Sequence, residues 1–568
     1  MRVPCGNFTI AICCLFAVCS AIPAATQDSR RPLTPHAVGV QSAPAGSAQS
    51  KTSASVYAAQ TTAAPHWMGL NNAPPASLGA MVLLTDGRVM VHEEPNCSGT
   101  GCSGMDFTAW YVLTPDVNGS YINGTWSQAA SMPPGYAPLY FSSAVLADGK
   151  VIVGGGEYQC PAGQCAPSWT NLGALYDPAS NAWTPIAPPI IPTQWANIGD
   201  AASVVLANGT YMQSDCCGVA LQMQSAPLAA YFDEASMSWT ELNQSTKFDE
   251  FDEEGWTLLP NGKVLTVDAY VACPSGQPAC TAAGFTGSNS ELWEPGPETW
   301  SSAGSTIVQL WDSHCGAGGG SFEVGPAILR PNGTVFYTGA SDCQPGHTAI
   351  YNSVTGKWRK GPDFLNNDAA NDSPASIETN GNVLVMASPY SGTFSAPSHF
   401  YEWNGTNLSV FPAPPNAVND ASFVGHLLVL PTGQIMFTDF TTDVEILTTA
   451  GTYKSSWQPH IHSAPKFVHP GSSNYSVSGT QFNGLTQGAA YGDDFQDATN
   501  YPLVRIANGA SGHVFYCTTH DHSSMGVATG KLLVSTMFDV PADIELGPST
   551  LYVVANGIPS PPKNITVQ

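Results

Sequence analysis

Charged residues are scarce in this chain, and basic residues are the scarcest of all. The 568 residues include 17 Lys and Arg against 42 Asp and Glu, which gives a formal net charge of −25 at pH 7. Binding to phosphates requires clusters of Lys and Arg, and we find no such cluster, so we expect no nucleic acid partner. The low charge also leaves little material for long helices exposed to solvent.

Long apolar runs and signature motifs of catalysis are missing as well. Beyond residues 10–22 no stretch is long and apolar enough to cross a bilayer, so we expect no membrane span. The sequence lacks a phosphate-binding Gly-rich loop, a Gly-x-Ser-x-Gly nucleophile motif and a His-Glu-x-x-His zinc motif. The enzyme classes that depend on these motifs are therefore not indicated.

The N-terminal region is typical of an exported protein. Arg2 precedes an apolar run from Ile10 to Ile22, and small residues follow at Ala24 and Ala25. This pattern predicts a signal peptide over residues 1–25 and secretion to the extracellular space; a membrane anchor is the alternative. Residues 26–65 are rich in Ala, Ser, Thr, Gln and Pro, and we interpret them as a flexible, disordered linker.

The cysteines beyond the signal region agree with export, because most of them form close pairs in the sequence. Such pairs in loops of an exported protein predict disulfides, with metal binding as the alternative. Cys517 is left over. The predicted disulfides are Cys97–Cys102, Cys160–Cys165, Cys216–Cys217, Cys273–Cys280 and, over a longer separation, Cys315–Cys343.

A repeated hairpin pattern dominates the rest of the chain. An apolar strand, a turn that ends in Gly, and a second apolar strand occur seven times, as in AVLADGKVIV at 144–153. We expect positive φ at both central turn residues, and the period of 48 to 71 residues predicts a seven-bladed β-propeller over residues 66–460. The turn glycines are Gly87, Gly149, Gly209, Gly262, Gly333, Gly381 and Gly433.

The second half of each unit adds an aromatic strand that leads to a Trp, as from Tyr176 to Trp183. Each blade therefore has four strands, and the aromatic residues are expected to be core. Two segments compete to close the ring, one around Trp67 and one from Tyr453 to Trp457. Residues 461–568 contain short alternating strands, which predict an immunoglobulin-like β-sandwich. The fold class is all-β, and we expect a monomer.

At this level the chain resembles the galactose oxidase and glyoxal oxidase family, which combines a kelch-type propeller with a C-terminal immunoglobulin-like domain. The resemblance covers roughly residues 66–568. Its most specific segments are YFSSAVLADGKV at 140–151 and TLYVVANGIPS at 550–560. It is a resemblance of architecture and does not establish the chemistry.

The resemblance implies a copper ion held by two His and two Tyr, one of them crosslinked to a Cys. Tyr140 matches the crosslinked Tyr and is the one candidate catalytic residue. Leu78 stands where the family has the Cys, and Phe423 and Val424 stand where it has the Tyr-His pair. His520 is the expected match for the histidine of the C-terminal domain.

Two other groups of residues are candidates for a binding site. Asp200, Glu253, Glu323 and Asp372 precede predicted inner strands, so they are expected to surround the propeller axis. Oxygen ligands favour calcium or magnesium over copper, and the alternative is that these acids are solvated or hydrogen-bonded to the backbone at loop ends. His520 and His522 are expected to share one face of a strand and to bind a metal, with ordinary interface histidines as the alternative.

Two functions remain open from these patterns. The first is a secreted, non-catalytic module that binds a glycan or another cell-surface ligand through a propeller face. The second is an enzyme, either a divergent copper oxidase of alcohols or aldehydes that releases hydrogen peroxide, or a lyase or hydrolase that uses the acidic ring.

Overall fold

The structure, a computed structural model, describes residues 64–95, 107–161, 165–167, 169–190, 193–216, 228–242, 244–251, 253–269, 288–312, 323–341, 344–390, 395–491, 496–497 and 500–568. The predicted signal peptide and nearly all of the predicted linker lie outside these residues. So do Cys97, Cys102, Cys217, Cys273, Cys280, Cys315 and Cys343.

Seven antiparallel sheets form the blades of a propeller, and each blade has four main strands in order from the innermost to the outermost. Blade 1 consists of Leu78–Leu83, Val89–Glu93, Trp110–Thr114 and Thr125–Gln128; blade 2 of Ser142–Val145, Val151–Gly154, Gly173–Asp177 and Ala182–Ile186; blade 3 of Ser203–Val205, Tyr211–Ser214, Ala229–Asp233 and Ser238–Glu241; blade 4 of Thr257–Leu258, Val264–Val267, Ser290–Glu294 and Thr299–Ser302. Blade 5 consists of Ala327–Leu329, Thr334–Thr338, Thr348–Asn352 and Lys357–Lys360; blade 6 of Pro374–Ile377, Val383–Pro389, His399–Trp403 and Leu408–Phe411; blade 7 of His426–Val429, Ile435–Thr438, Glu445–Thr448 and His66–Gly69.

The glycine turns join the two inner strands of every blade, as the repeat predicts. All seven turn glycines have a positive φ, between 76° and 91°. The expectation of positive φ at the preceding residue is wrong, because Asp86 and its counterparts are absent from the residues with positive φ. In blade 1 the Gly87 amide donates to Leu84 O (2.9 Å) and the Arg88 amide to Asp86 Oδ1 (3.1 Å). Each hairpin therefore turns through three residues, with an Asp, Asn or Thr side chain at the corner and Gly at the bulge.

The strand His66–Gly69 closes the ring. It pairs antiparallel with Glu445–Thr448 as the outer strand of blade 7, and Trp67 Nε1 donates to Pro412 O at the end of blade 6 (2.8 Å). Equivalent indole bonds join blade 2 to blade 1 and blade 3 to blade 2, from Trp183 to Ala130 O and from Trp239 to Ala187 O (both 2.9 Å). Of the two competing segments, the one around Trp67 is thus the one that closes the ring.

The C-terminal domain is a sheet of nine strands, and it folds around one core that includes Val477, Val504, Phe538 and Leu551. The alternating burial along its strands is that of a β-sandwich, as predicted. Its strands are His460–Ser463, Phe467–Val468, Tyr475–Thr480, Leu503–Asn508, Val514–His520, Val534–Asp539, Gly547–Ala555, Ile558–Pro559 and Lys563–Val567.

This domain packs against the glycine turns, on what we call the turn face of the propeller. Backbone amides of Thr519, His522 and Met525 donate to carbonyl oxygens in the turns of blades 1, 2 and 3 (2.9–3.2 Å). From here a segment of the domain enters the propeller axis. Ala489–Tyr491 pairs with the innermost strand of blade 6, and Gln496–Asp497 pairs with that of blade 2.

Short elements complete the described structure. The two-residue strands Pro138–Leu139, Tyr158–Gln159 and Ala166–Pro167 form a small sheet, and Asp368–Ala369 pairs with blade 6. The 3-10 helices are Pro415–Val418, Ser422–Val424 and Ser455–Trp457. Among the described residues, no helix has the length and apolar character to cross a membrane.

Candidate functional site

The face opposite the turn face carries the connections between the second and third strands of each blade and those between blades. We call it the loop face. Its connections are long, such as those from Ser214 to Ala229 and from Val267 to Ser290, whereas the glycine turns at the other end have three residues. Of the cysteines in the predicted disulfides, the described ones, Cys160, Cys165 and Cys216, lie in loop-face connections. Loops of this kind on a rigid scaffold are common places for binding and catalysis.

One of these disulfides is described in full, and it joins Cys160 to Cys165 as predicted. Cys216 is also disulfide-bonded, although the predicted partner Cys217 lies outside the described residues. Cys517 is a buried free thiol in the C-terminal domain. Since stable disulfides are typical of oxidising compartments, the Cys160–Cys165 bond points to an extracellular protein.

The four acids predicted to surround the axis are each located just before the innermost strand of blades 3, 4, 5 and 6. A carboxylate oxygen of Asp200 and one of Glu253 lie within 4.8 Å of each other. The Asp372 carboxyl group interacts with Glu323 by a side-chain hydrogen bond and electrostatically with Asp200. The structure therefore brings the four predicted acids together, and we call them the axial acids.

Burial shapes the electrostatics of the axial acids. It raises the pKa of Asp200 to about 7. Burial also raises the pKa of Asp372 to about 8, and the neighbouring carboxylates of Asp200 and Asp312 add to this shift. The Sγ atom of Cys216 lies close to Asp200 and Glu253, but a disulfide-bonded sulfur is not a thiolate ligand. The donors at this place are therefore carboxylate oxygens.

Tyr140 lies beside the axial acids. Burial raises the pKa of Tyr140 well above its usual range, and the carboxylates of Glu157, Asp372 and Glu94 raise it further. Its ring is 5.9 Å from that of Tyr158. Tyr140 and Asp372 both have positive φ, 53° and 38°. Non-glycine residues seldom adopt this conformation, and it occurs preferentially at functional sites.

The surroundings of Tyr140 do not fit a tightly bound copper ion. The ring of His426 stacks on those of Tyr491 (4.9 Å) and Phe440 (5.7 Å), and burial lowers the pKa of His426 to about 4. The hydroxyl group of Tyr491 donates to Phe423 O (2.6 Å). The other imidazole of this region, that of His92, has both ring nitrogens within hydrogen-bond distance of Glu94 and Phe107 O, so two free histidine ligands for copper are not present here. The adjoining cavity, lined by Met81, His426, Leu427, Ala490 and Tyr491, has a volume of about 10 Å³, which is the space of about one water molecule.

The expected role of His520 is wrong, because His520 lies at the turn face. The residues from Tyr140 to Ala147 run from one face of the propeller to the other, a distance of roughly 20 Å for an extended strand. His522, two residues from His520, bonds through its amide to Ala147 O. Among the described residues of the C-terminal domain, Tyr491 reaches the surroundings of Tyr140, because its segment enters the propeller axis and its ring stacks on that of His426.

The prediction that His520 and His522 share one face of a strand is also wrong. The strand ends at His520, and Asp521 breaks the alternation with a φ of 49°. His520 pairs with Asp521 (2.8 Å), whereas His522 is buried against Thr536 (2.9 Å). Burial lowers the pKa of His522 to about 3. Across the described ranges, neither histidine belongs to a group of three possible metal ligands.

Sequence reasoning missed a buried ion cluster in the acidic run at 248–255. The Lys247 amine contacts Asp249, Glu254 (3.2 Å) and Glu291 (3.1 Å), with no exposed side-chain surface on Lys247. Burial alone would lower the pKa of Lys247, but these carboxylates raise it well above its usual range. The cluster is a stabilising contact of blade 4, and the single Lys beside the acidic run was its one signal in the sequence.

A buried His-Glu pair near Tyr140 was missed too. His92 Nδ1 is 2.7 Å from Glu94 Oε1, and His92 Nε2 is 2.8 Å from Phe107 O. The other Glu94 oxygen accepts the Ala80 amide (2.7 Å). A carbonyl oxygen only accepts, so Nε2 carries a proton, and one further proton lies between Nδ1 and the carboxylate. The pair anchors the loop face of blade 1.

Comparisons with known proteins find similar structures but no match to a family profile or a curated protein. Among solved structures, it is similar to a fungal alcohol oxidase of the AA5 family in complex with copper (14% identity, TM-score 0.45, covering 89% of this chain and 98% of the other). It is also similar to the extracellular domain of a protein assigned to a hybrid two-component system of B. thetaiotaomicron (9% identity, TM-score 0.41, covering 90% and 60%). Because these sequence identities and TM-scores are low, the function has to be inferred from the residues of the site.

Proposed function

We propose that this chain is an extracellular, non-catalytic binding protein that holds a neutral glycan at the centre of its loop face. The observation that carries the proposal is the convergence of Asp200, Glu253, Glu323 and Asp372 at the axis. Ionised carboxylates accept hydrogen bonds from sugar hydroxyl groups, and these acids offer several acceptors within one small area.

The composition of the site supports a polyhydroxylated ligand over other classes. A ligand that donates hydrogen bonds gives a partner to buried oxygens such as Asp200 Oδ1, which has none, and so removes a cost of burial. The rings of Tyr140 and Tyr158 offer apolar contact beside these acceptors. An anionic ligand is disfavoured, because the axial acids would repel it.

A glycan array tests the proposal. The wild-type protein is expected to bind a set of neutral oligosaccharides at pH 9, above the raised pKa values of about 7 for Asp200 and about 8 for Asp372. Asp372→Asn is expected to lose this binding at least tenfold, because an amide replaces an acceptor with a donor. Glu241→Gln, a change at an exposed residue on the outer strand of blade 3, serves as the matched control. Equal binding by the wild type and Asp372→Asn would sink the proposal.

A glycoside hydrolase or lyase is a second candidate, and the pKa values of the axial acids favour it. Asp200 and Asp372 lie near each other with raised pKa values of about 7 and about 8. Two carboxyl groups of this kind are what acid–base cleavage of a glycosidic bond needs. Mass spectrometry of the oligosaccharides after incubation with the protein distinguishes the binding protein from the enzyme. Intact sugars support binding alone. Sugar fragments that the wild type produces and Asp372→Asn does not support the enzyme.

A further inference from the structure

Acceptor sequences for N-linked glycosylation occur in several turns of the propeller. The acceptor sequence, or sequon, is Asn-x-Ser/Thr with any residue but Pro in the middle, and in an exported protein it marks a surface loop. In blades 3 and 5 a sequon coincides with the glycine turn, from Asn208 to Thr210 and from Asn332 to Thr334. A third copy of the same Asn-Gly-Thr sequence begins at Asn404, in the turn between the two outer strands of blade 6.

Each of these three asparagines is exposed, and its turn uses the side-chain oxygen alone. Asn332 Oδ1 accepts both the backbone amide (3.1 Å) and the hydroxyl group (2.7 Å) of Thr334. The Oδ1 atoms of Asn208 and Asn404 accept the backbone amide two residues further on (3.1 and 3.0 Å). Among the described residues, none accepts a hydrogen bond from Nδ2 of these asparagines. The nitrogen to which a sugar would be joined is therefore in solvent and outside the bonds of the turn.

The three exposed sequons lie at the same end of the propeller. The turns between the first two strands and between the last two strands of an antiparallel blade are at one end, so all three belong to the side of the turn face. On the loop face, the described sequon begins at Asn371, which is 4% exposed and whose Oδ1 accepts the Ser341 amide (2.9 Å). A glycan is bulky and solvated, so the folded protein has no room for one there. Asn96 and Asn243, which begin two further sequons, lie outside the described residues.

We propose that Asn208, Asn332 and Asn404 carry N-linked glycans in the secreted protein, so that sugar chains surround the turn end and leave the axial acids uncovered. The donor is an oligosaccharide carried on a lipid diphosphate. A bond forms between Asn Nδ2 and C1 of the first sugar while the bond from C1 to the diphosphate oxygen breaks. The diphosphate leaves with the electron pair, and the amide loses one proton. The disulfide Cys160–Cys165 points to an extracellular protein, which supports this modification.

The repeat itself provides matched positions for a test. Asp86 and Asp148 occupy the place of Asn208 in blades 1 and 2, and their Oδ1 atoms accept the same backbone amide (3.1 and 3.0 Å). Aspartate therefore preserves the turn bond but has no Nδ2 to modify. In blade 4 the exposed Asn261 accepts the Lys263 amide in the same way (3.2 Å). Because Lys263 stands where a sequon needs Ser or Thr, Asn261 is a turn asparagine that no glycan is expected to occupy.

Peptide mass spectrometry of the full-length protein, secreted from a eukaryotic host, tests the sites. Peptide N-glycosidase in heavy-oxygen water converts each glycosylated Asn into a labelled Asp. Label is expected at Asn208, Asn332 and Asn404, and none at Asn371. By intact mass, Asn332→Asp is expected to lose one glycan and to be secreted like the wild type, because the turn bond remains. Asn261→Asp, the matched control, is expected to keep every glycan.

An unlabelled peptide at any of the three asparagines contradicts its assignment, and label at Asn371 in the folded, secreted protein overturns the placement of the glycans. The proposal does not rest on ligand binding at the loop face, and a glycan array distinguishes the two. Enzymatic removal of the N-linked glycans is expected to leave binding at the axial acids unchanged. A protein that carries all three labels but binds no oligosaccharide contradicts the binding function alone.

Discussion

Tyr140 and Asp372 occupy backbone conformations that side chains seldom tolerate, and both lie at the mouth of the propeller axis. The pKa of each of these two side chains is shifted by several neighbouring groups. The position of the axial acids could be predicted, because each acid has the same place in the repeat, just before an inner strand. The contacts of Lys247 could not be predicted, since its partner Glu291 is 44 residues away in a neighbouring hairpin.

The Lys247 cluster gives a prediction about stability at the scale of a single residue. Lys247→Met leaves Asp249, Glu254 and Glu291 buried without their cation, and this is expected to cost about 3–5 kcal/mol. The matched control is Lys263→Met, whose partner Glu294 is 2.7 Å away and about 30% exposed; such a pair contributes about 1 kcal/mol or less. Denaturation with urea measures both, and similar losses for the two variants would contradict the assignment of the cluster.

The hairpin is the element that the sequence specifies best. Its strands, turn glycine and burial pattern all lie within ten residues, so the repeat predicts seven inner hairpins and therefore a propeller. Local signals do not determine the partners of distant segments. Gln496–Asp497 pairs with Ser143–Ala144 across more than 350 residues, and nothing in either segment identifies the other. For the same reason the expected match at His520 is wrong, because His520 lies at the turn face, where the neighbouring His522 amide bonds to Ala147 O.

The closing strand gives a prediction at the scale of an element. Trp67 packs its ring against Phe400 and Phe437 (5.5 and 5.7 Å) besides its bond to Pro412 O. Trp67→Ala is expected to lower the free energy of unfolding by about 2 kcal/mol or more and to expose the N-terminal strand to proteases. Trp239→Ala removes the same type of bond between blades 2 and 3, and it is expected to leave the N-terminal strand resistant. Equal cleavage there in both variants would show that Trp67 has no special part in closure.

At the scale of the whole molecule, acidic residues far outnumber the 17 basic residues. Several of these acids are buried and keep their protons near neutral pH. Asp200 has a raised pKa of about 7, and Asp372, Asp420 and Glu445 have raised pKa values of about 8. The overall charge could be predicted from composition, but the burial of these acids depends on how the blades meet.

These values predict how stability depends on pH. An acid whose folded pKa is raised holds more protons when folded than when unfolded, so its contribution to stability falls as pH rises toward the folded pKa. His426 and His522, with lowered pKa values of about 4 and about 3, act in the opposite sense, but only below about pH 6.5. In EDTA the Tm is therefore expected to fall between pH 6.5 and 8. A Tm that rises over this interval would contradict the buried, protonated state of these acids.

We infer that the site on the propeller axis, where carboxylate oxygens converge, binds its ligand without copper chemistry. Plasma mass spectrometry of the secreted protein, after loading with copper and removal of excess, tests it most directly when combined with a peroxide assay on alcohols and aldehydes. We predict copper far below one ion per chain and no peroxide. One tightly held copper ion per chain, with peroxide production that Tyr140→Phe abolishes, would contradict the claim and establish an oxidase.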